Sequence, residues 1–181
     1  SVSALLGGPC RDHVVSSYWA GLQTPEHSVV AAAAARDGGY SCLKFKITQG
    51  MPVIERLQRM LEVAPDLRFI VDAMQRYDDF GQMQDLVRQM ADLNVVCLED
   101  PFPRDHHDWY RQLRQEGGIP IALHLASTEL ILQALQEDVA DIFNCSPVSL
   151  FEFVRMADVA GAAGKPCWHG SAVDLGLLDL A

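Results

Sequence analysis

The sequence predicts an α/β fold of the incomplete (β/α) TIM-type barrel kind, and three observations predict it. Short apolar runs rich in β-branched residues alternate with amphipathic stretches along the chain. The apolar runs are near-continuous, as in strands buried on both faces of a parallel sheet. Polar residues recur where those runs end, at Lys46, Asp72, Glu99, His124, Ser146 and His169. In a barrel, strand ends of one polarity meet at one mouth.

Taken in order, the expected strands are His13 to Trp19, Ser41 to Ile47, Arg68 to Asp72, Val95 to Glu99, Ile119 to His124, Asp141 to Cys145 and Pro166 to His169. Between them lie Pro25 to Asp37, Pro52 to Val63, Phe80 to Leu93, Asp108 to Gln115, Thr128 to Gln136 and Leu150 to Ala162. Each carries apolar residues at helical spacing, and several close on glycine. Strands joined through helices run parallel, which leaves an open doubly wound sheet or a barrel. A dinucleotide-binding sheet would show GxGxxG after its first strand, whereas this one leads into Ala20, Gly21, Leu22, Gln23, Thr24 and Pro25, so the barrel is preferred. Seven strands are countable where a barrel needs eight. The expected organisation is one partial barrel over residues 1–181, without its last strand.

A length of 181 residues suffices for one sizeable core. The formal net charge of -10, with no cluster of lysine and arginine, argues against a nucleic-acid partner. The cysteines Cys10, Cys42, Cys97, Cys145 and Cys167 form no CxxC pair and mostly sit in apolar runs, which fits a reducing cytoplasm. No apolar stretch approaches the roughly 20 residues that span a bilayer, and the start lacks a signal-like segment. A soluble cytoplasmic protein is expected, with no membrane partner and a homo-oligomeric state in the full-length form.

The chemistry-bearing residues follow from strand periodicity. Lys44, Phe45 and Lys46 place two ammonium groups on one side of a strand, and two such groups in one barrel would lower each other's pKa and leave one usable as a base. The alternative is an edge strand with exposed lysines. Asp72 and Glu99 close consecutive apolar strands, a placement that suits a hard divalent cation with oxygen ligands. The alternatives are a helix cap for Asp72 and a rim ion pair for Glu99.

These residues resemble a family. Leu6, Gly7 and Gly8 with Arg11 and Asp12 look like the lead-in to the barrel of the mandelate racemase and muconate lactonizing group of the enolase superfamily, which is normally reached from a capping domain. Lys44-Phe45-Lys46 resembles its second-strand KxK motif. Val71-Asp72-Ala73-Met74-Gln75 resembles its VDANQ segment with the metal aspartate, and Leu98-Glu99-Asp100-Pro101 its fourth-strand metal glutamate. Ile119 to Ala122, Asp141 to Asn144 and Trp168-His169-Gly170-Ser171 are similar to the fifth, sixth and seventh strands. The resemblance implies abstraction of a proton α to a carboxylate in a small-molecule substrate. The resulting enediolate would be stabilised by Mg2+ or another divalent cation such as Mn2+. It implies Lys46, Lys44 and His169 as catalytic residues, and Asp72 and Glu99 as metal ligands joined by His124.

The sequence departs from the family at three places. His124-Leu125 stands where a third metal carboxylate is usual, so either His124 replaces it or the cation is held by two ligands and is weak. Cys145-Ser146 stands where a lysine or an aspartate is usual, which leaves Asp174 as a candidate partner for His169. Met74 stands where asparagine is usual. Three functions are weighed: an acid-sugar dehydratase-like lyase first, a racemase, epimerase or cycloisomerase second, and a catalytically lapsed barrel acting as a binding subunit third.

Overall fold

The structure, a computed structural model, describes residue 8 and residues 13–170. Leu6, Gly7, Arg11, Asp12, Ser171 and Asp174 lie outside the described residues. Strands β1 (Tyr18–Ala20), β2 (Cys42–Lys46), β3 (Arg68–Asp72), β4 (Val95–Glu99), β5 (Ile121–Leu125), β6 (Ile142–Cys145) and β7 (Cys167–His169) form one parallel sheet in chain order. They alternate with α1 (Pro25–Asp37), α2 (Val53–Val63), α3 (Phe80–Met90), α4 (His107–Glu116), α5 (Thr128–Gln136) and α6 (Leu150–Ala162). This is a seven-stranded βα half-barrel among the described residues. No described helix is long and apolar enough to cross a membrane.

Local chemistry sets the helix starts. Thr24, Asp79, Ser127 and Ser149 each accept a backbone hydrogen bond from the first turn of α1, α3, α5 and α6, and Pro25 opens α1 with a φ already suited to the helix. The first strand is shorter than His13 to Trp19. Only Tyr18, Trp19 and Ala20 pair, with Leu43, Lys44 and Phe45, and residues 13–17 are exposed without a ladder to hold them.

Period-two alternation divides the sheet into two faces. Leu43, Phe45, Phe69, Val71, Leu98, Ile121, Leu123, Leu125, Phe143 and Cys145 point to the helices and join their buried residues in one large core. Cys42, Ile70, Cys97 and Ala122 form a smaller cluster on the opposite, inner face, against which Val96, Ile142 and Trp168 pack. Residues two further along those inner rows are Lys44, Asp72, Glu99, His124 and Asn144. The inner face therefore turns from apolar to charged towards the C-terminal edge of the sheet, where parallel βα folds place their chemistry.

Candidate active site

Lys44, in the middle of β2, projects across the inner face to β4. Its Nζ lies 2.7 Å from both Oε1 and Oε2 of Glu99 and 3.4 Å from Oδ2 of Asp72. Glu99 is 0% exposed and Asp72 6%. A carboxylate is seldom buried to this degree without a partner. Burial alone pushes the Lys44 ammonium towards neutrality, but the charges of Glu99 and Asp72 and their hydrogen bonds outweigh it and hold its pKa above the ordinary lysine value. This corrects the expectation that the two lysines lower each other: Lys44 is the committed, protonated member of the pair.

Neighbouring strands complete the cluster. Asn144 donates from Nδ2 to Glu99 Oε1 at 2.9 Å, while its own Oδ1 is buried with no hydrogen-bond partner. His124 puts Nδ1 3.8 Å from Glu99 Oε1, and burial holds its imidazole below the ordinary histidine pKa, with Lys44 and Arg104 adding to the effect against Asp100. The Oδ1 of Asp72 accepts the amide of Met74 at 2.9 Å. The backbone pays locally for that turn, since Met74 and Gln75 adopt φ of 52° and 60°, a region asparagine tolerates better than methionine.

Asp100 ties the strand ends together. It is 4% exposed, and it accepts the His124 amide at 3.1 Å, Arg104 Nη2 at 3.1 Å and Gln75 Nε2 at 3.3 Å. Its own carbonyl accepts the Gln75 amide at 2.7 Å, and Arg104 also donates to the His124 carbonyl. One buried carboxylate thus fixes the loops after β3 and β4 and the end of β5.

Lys46 pairs in register with Asp72 on the neighbouring strand and is half-buried. Among the described residues its ammonium makes no hydrogen bond or ion pair. Its carbonyl is held at 3.1 Å by Nη1 of Arg56, a fully buried arginine that also donates to Ser28 Oγ at 2.9 Å and lies over the Phe45 ring. Lys46 is therefore fixed at its backbone and free at its tip.

His169 does not join the cluster in this way. Trp168 pairs with Asn144 and faces inward with it, whereas His169 pairs with Cys145 and turns to the helix side, its ring edge-on to Phe153 of α6 at 4.9 Å between centroids. The structure thus brings together Lys44, Asp72, Glu99 and His124, places Lys46 beside them and seats His169 on the other face. Asn144, Asp100 and Arg104 belong to the site and were not anticipated. A polar asparagine on the inward parity of an otherwise apolar strand is the signal that marks Asn144.

The divalent cation implied by the sequence can be tested against these donors. Mg2+ takes oxygen ligands in near-octahedral array. Here two carboxylates are present, both Glu99 oxygens are engaged by Lys44, and the third position offers the His124 imidazole and the helix-facing Leu125. Among the described residues no three histidine, cysteine, aspartate or glutamate side chains are grouped to hold a metal ion. With Lys44 on both Glu99 oxygens and near Asp72, this arrangement leaves no open seat for a hard divalent cation between the two carboxylates.

A parallel βα array with a lysine and buried carboxylates at the C-terminal edge of its inner face makes this chain an α/β half-barrel with a polar cluster at one end of its sheet. The chain belongs to the enolase C-terminal domain-like family, whose model matches residues 28–181. It is 27% identical over 144 residues to the N-succinylamino acid racemase of Thermus thermophilus, covering 77% of this chain and 38% of that enzyme. It is 24% identical over 131 residues to the D-galactonate dehydratase of Xanthomonas oryzae pv. oryzae, covering 67% of this chain and 34% of that enzyme. The fold matches that of the N-succinyl Arg/Lys racemase from Bacillus cereus with a TM-score of 0.87 at 24% identity, covering 96% of this chain and 49% of the other. The chain spans about half the length of that structure and less of these two relatives.

Proposed function

We propose that the chain supplies the proton-abstracting site of an enzyme acting on the carbon α to a carboxylate, with an acid-sugar dehydratase-like lyase as the leading reading. The observation that carries it is the division of labour between two lysines two residues apart. Lys44 is held as a fixed cation by Glu99 and Asp72, while Lys46 stands half-buried beside them with an uncommitted tip.

In this reading Lys46 takes the α-proton, and the electron pair of the broken C–H bond moves into the carboxylate to give an enediolate. The ammonium of Lys44, held on Glu99, would turn the N–H that reaches towards Asp72, its longest contact at 3.4 Å, to the developing oxyanion. Asn144 and Asp72 keep Glu99 and Lys44 in place. Collapse of the enediolate then expels a β-hydroxyl, which takes the proton back from the Lys46 ammonium and leaves as water, and the enol product tautomerises to a keto acid. No step is routed through a divalent ion.

A racemase, epimerase or cycloisomerase is the second reading, and the relatives named as racemases favour it. Racemisation needs bases on opposite faces of the substrate. Among the described residues β6 carries Asn144 and no lysine on its inner face, and His169 lies on the helix side of β7, which favours the one-base lyase. A lapsed, purely binding barrel is the third.

The test is incubation of the full-length protein in D2O with D-galactonate and with N-succinyl amino acids, following keto-acid formation and deuterium at Cα. Keto acid from the sugar acid supports the lyase. Deuterium exchange or inversion without keto acid selects the racemase group, and neither reaction across the panel leaves the binding reading.

A further inference from the structure

We infer that the Lys44 ammonium occupies the place in which the wider family carries a divalent cation, making this site one with a built-in cation. The inference rests on the proposed use of the cluster, but it is tested without activity. Three observations converge on it. Lys44 Nζ meets both oxygens of a fully buried Glu99 at 2.7 Å and Asp72 Oδ2 at 3.4 Å, so a single positive group already sits between the two strand-end carboxylates. Asn144, 2% exposed, donates to Glu99 Oε1 at 2.9 Å and so claims that oxygen a second time. The inner-face residue of β5 beside the two carboxylates is His124, which offers nitrogen from a side chain 42% exposed, while its neighbour Leu125 packs among the helix-facing residues and brings no oxygen to this face.

A divalent ion entering here would have to displace an ammonium from a bidentate contact and from a second carboxylate. It would gain at most two carboxylate ligands in return. Mg2+ is often held by one or two carboxylates with waters filling the rest of its shell, so what opposes entry here is the loss of the Lys44 contacts to both Glu99 oxygens and to Asp72. An ammonium cannot match the charge of Mg2+, but it is permanent and already oriented, which is what a developing oxyanion requires.

The experiment is titration of the full-length wild-type protein with MgCl2 and with MnCl2 by calorimetry, paired with thermal unfolding in either salt and in EDTA. The expected result is no saturable binding and the same unfolding midpoint in all three conditions. The same unfolding series on Lys44→Met, in which the carboxylate pair loses its cation, is expected to show a midpoint that rises with added Mg2+ or Mn2+. Lys44→Arg, which keeps the positive charge, is expected to stay indifferent. Saturable binding by wild type, lost in Asp72→Asn, would overturn the inference. So would a folded Lys44→Met that remains as indifferent as wild type, because something other than Lys44 would then be closing the site. If Lys44→Met does not fold, the wild-type titration decides alone. Loss of the proposed proton abstraction would leave these binding results unaffected, so the two claims fail separately.

Discussion

Asn144 on β6 donates its Nδ2 hydrogen to Oε1 of Glu99 on β4 at 2.9 Å, reaching past β5 across the inner face. The contact depends on a glycine. A Cβ on Gly170 would lie 2.0 Å from Asn144 Oδ1 and 2.3 Å from Ser146 Oγ, so any larger residue must push Asn144 off Glu99. Gly170→Ala is therefore expected to cost about 1–3 kcal/mol by overpacking. In an Asn144→Ala background the clash with Oδ1 is gone and only the one with Ser146 Oγ remains, so the same substitution should cost less. Denaturant unfolding of the two single variants and the double variant measures the coupling, which should exceed roughly 0.5 kcal/mol in the direction of rescue. Additive effects would mean that Gly170 is needed for some other reason.

Asp100 should matter to stability more than any exposed acid of the chain. Asp100→Ala strands the buried amide of His124 and removes the partner of Arg104. The expected loss is about 2–4 kcal/mol. Chemical denaturation would show it as a lower midpoint with an unchanged slope.

A separate carboxylate gives the chain part of its acid sensitivity. Burial raises the pKa of Asp141, but hydrogen bonds from Arg114 and the Ile121 amide, with the charges of Arg114 and Lys165, overcome it and hold the group below the ordinary aspartate value. A depressed folded-state pKa stabilises the fold above the unfolded value, near 3.9, and the contribution is lost as pH falls through the folded one. Asp141→Asn should lower stability at pH 7 by about 1–2 kcal/mol. It should also flatten the fall in unfolding midpoint below about pH 4, where the wild-type group takes up its proton. An acid limb as steep as that of wild type would remove Asp141 from the account.

Much of the fold was legible because several local signals agreed. Arg68–Asp72 and Val95–Glu99 end where the apolar runs end, and α1, α5 and α6 begin after Thr24, Ser127 and Ser149, whose side chains cap them. His13 to Trp19 looked like a full strand because its residues have strand propensity, but propensity cannot supply the partner that residues 13–17 lack along β2. Within well-paired strands period two already set Lys44, Asp72 and Glu99 on one face of the sheet. It could not set the side of His169, because the side taken by a three-residue strand follows its register with β6, pairing Cys145 with His169 and Asn144 with Trp168. Asp100 was hidden for a different reason: its role consists of contacts to β5, Gln75 and Arg104 that no single-strand pattern contains.

The central claim is that Lys46 is the base and Lys44 the fixed cation, and the most direct test is deuterium exchange at Cα in D2O, on whichever acid of the screened panel the full-length protein turns over, comparing wild type with Lys46→Met. Lys46 makes no ion pair among the described residues, and its carbonyl contact with Arg56 does not need its side chain. The variant should therefore fold with an unfolding midpoint close to that of wild type. The account predicts that exchange falls by at least about a hundredfold, the usual scale for loss of a positioned base. Exchange at the wild-type rate in a folded Lys46→Met protein would contradict the account and leave Lys46 as a substrate-binding or structural residue.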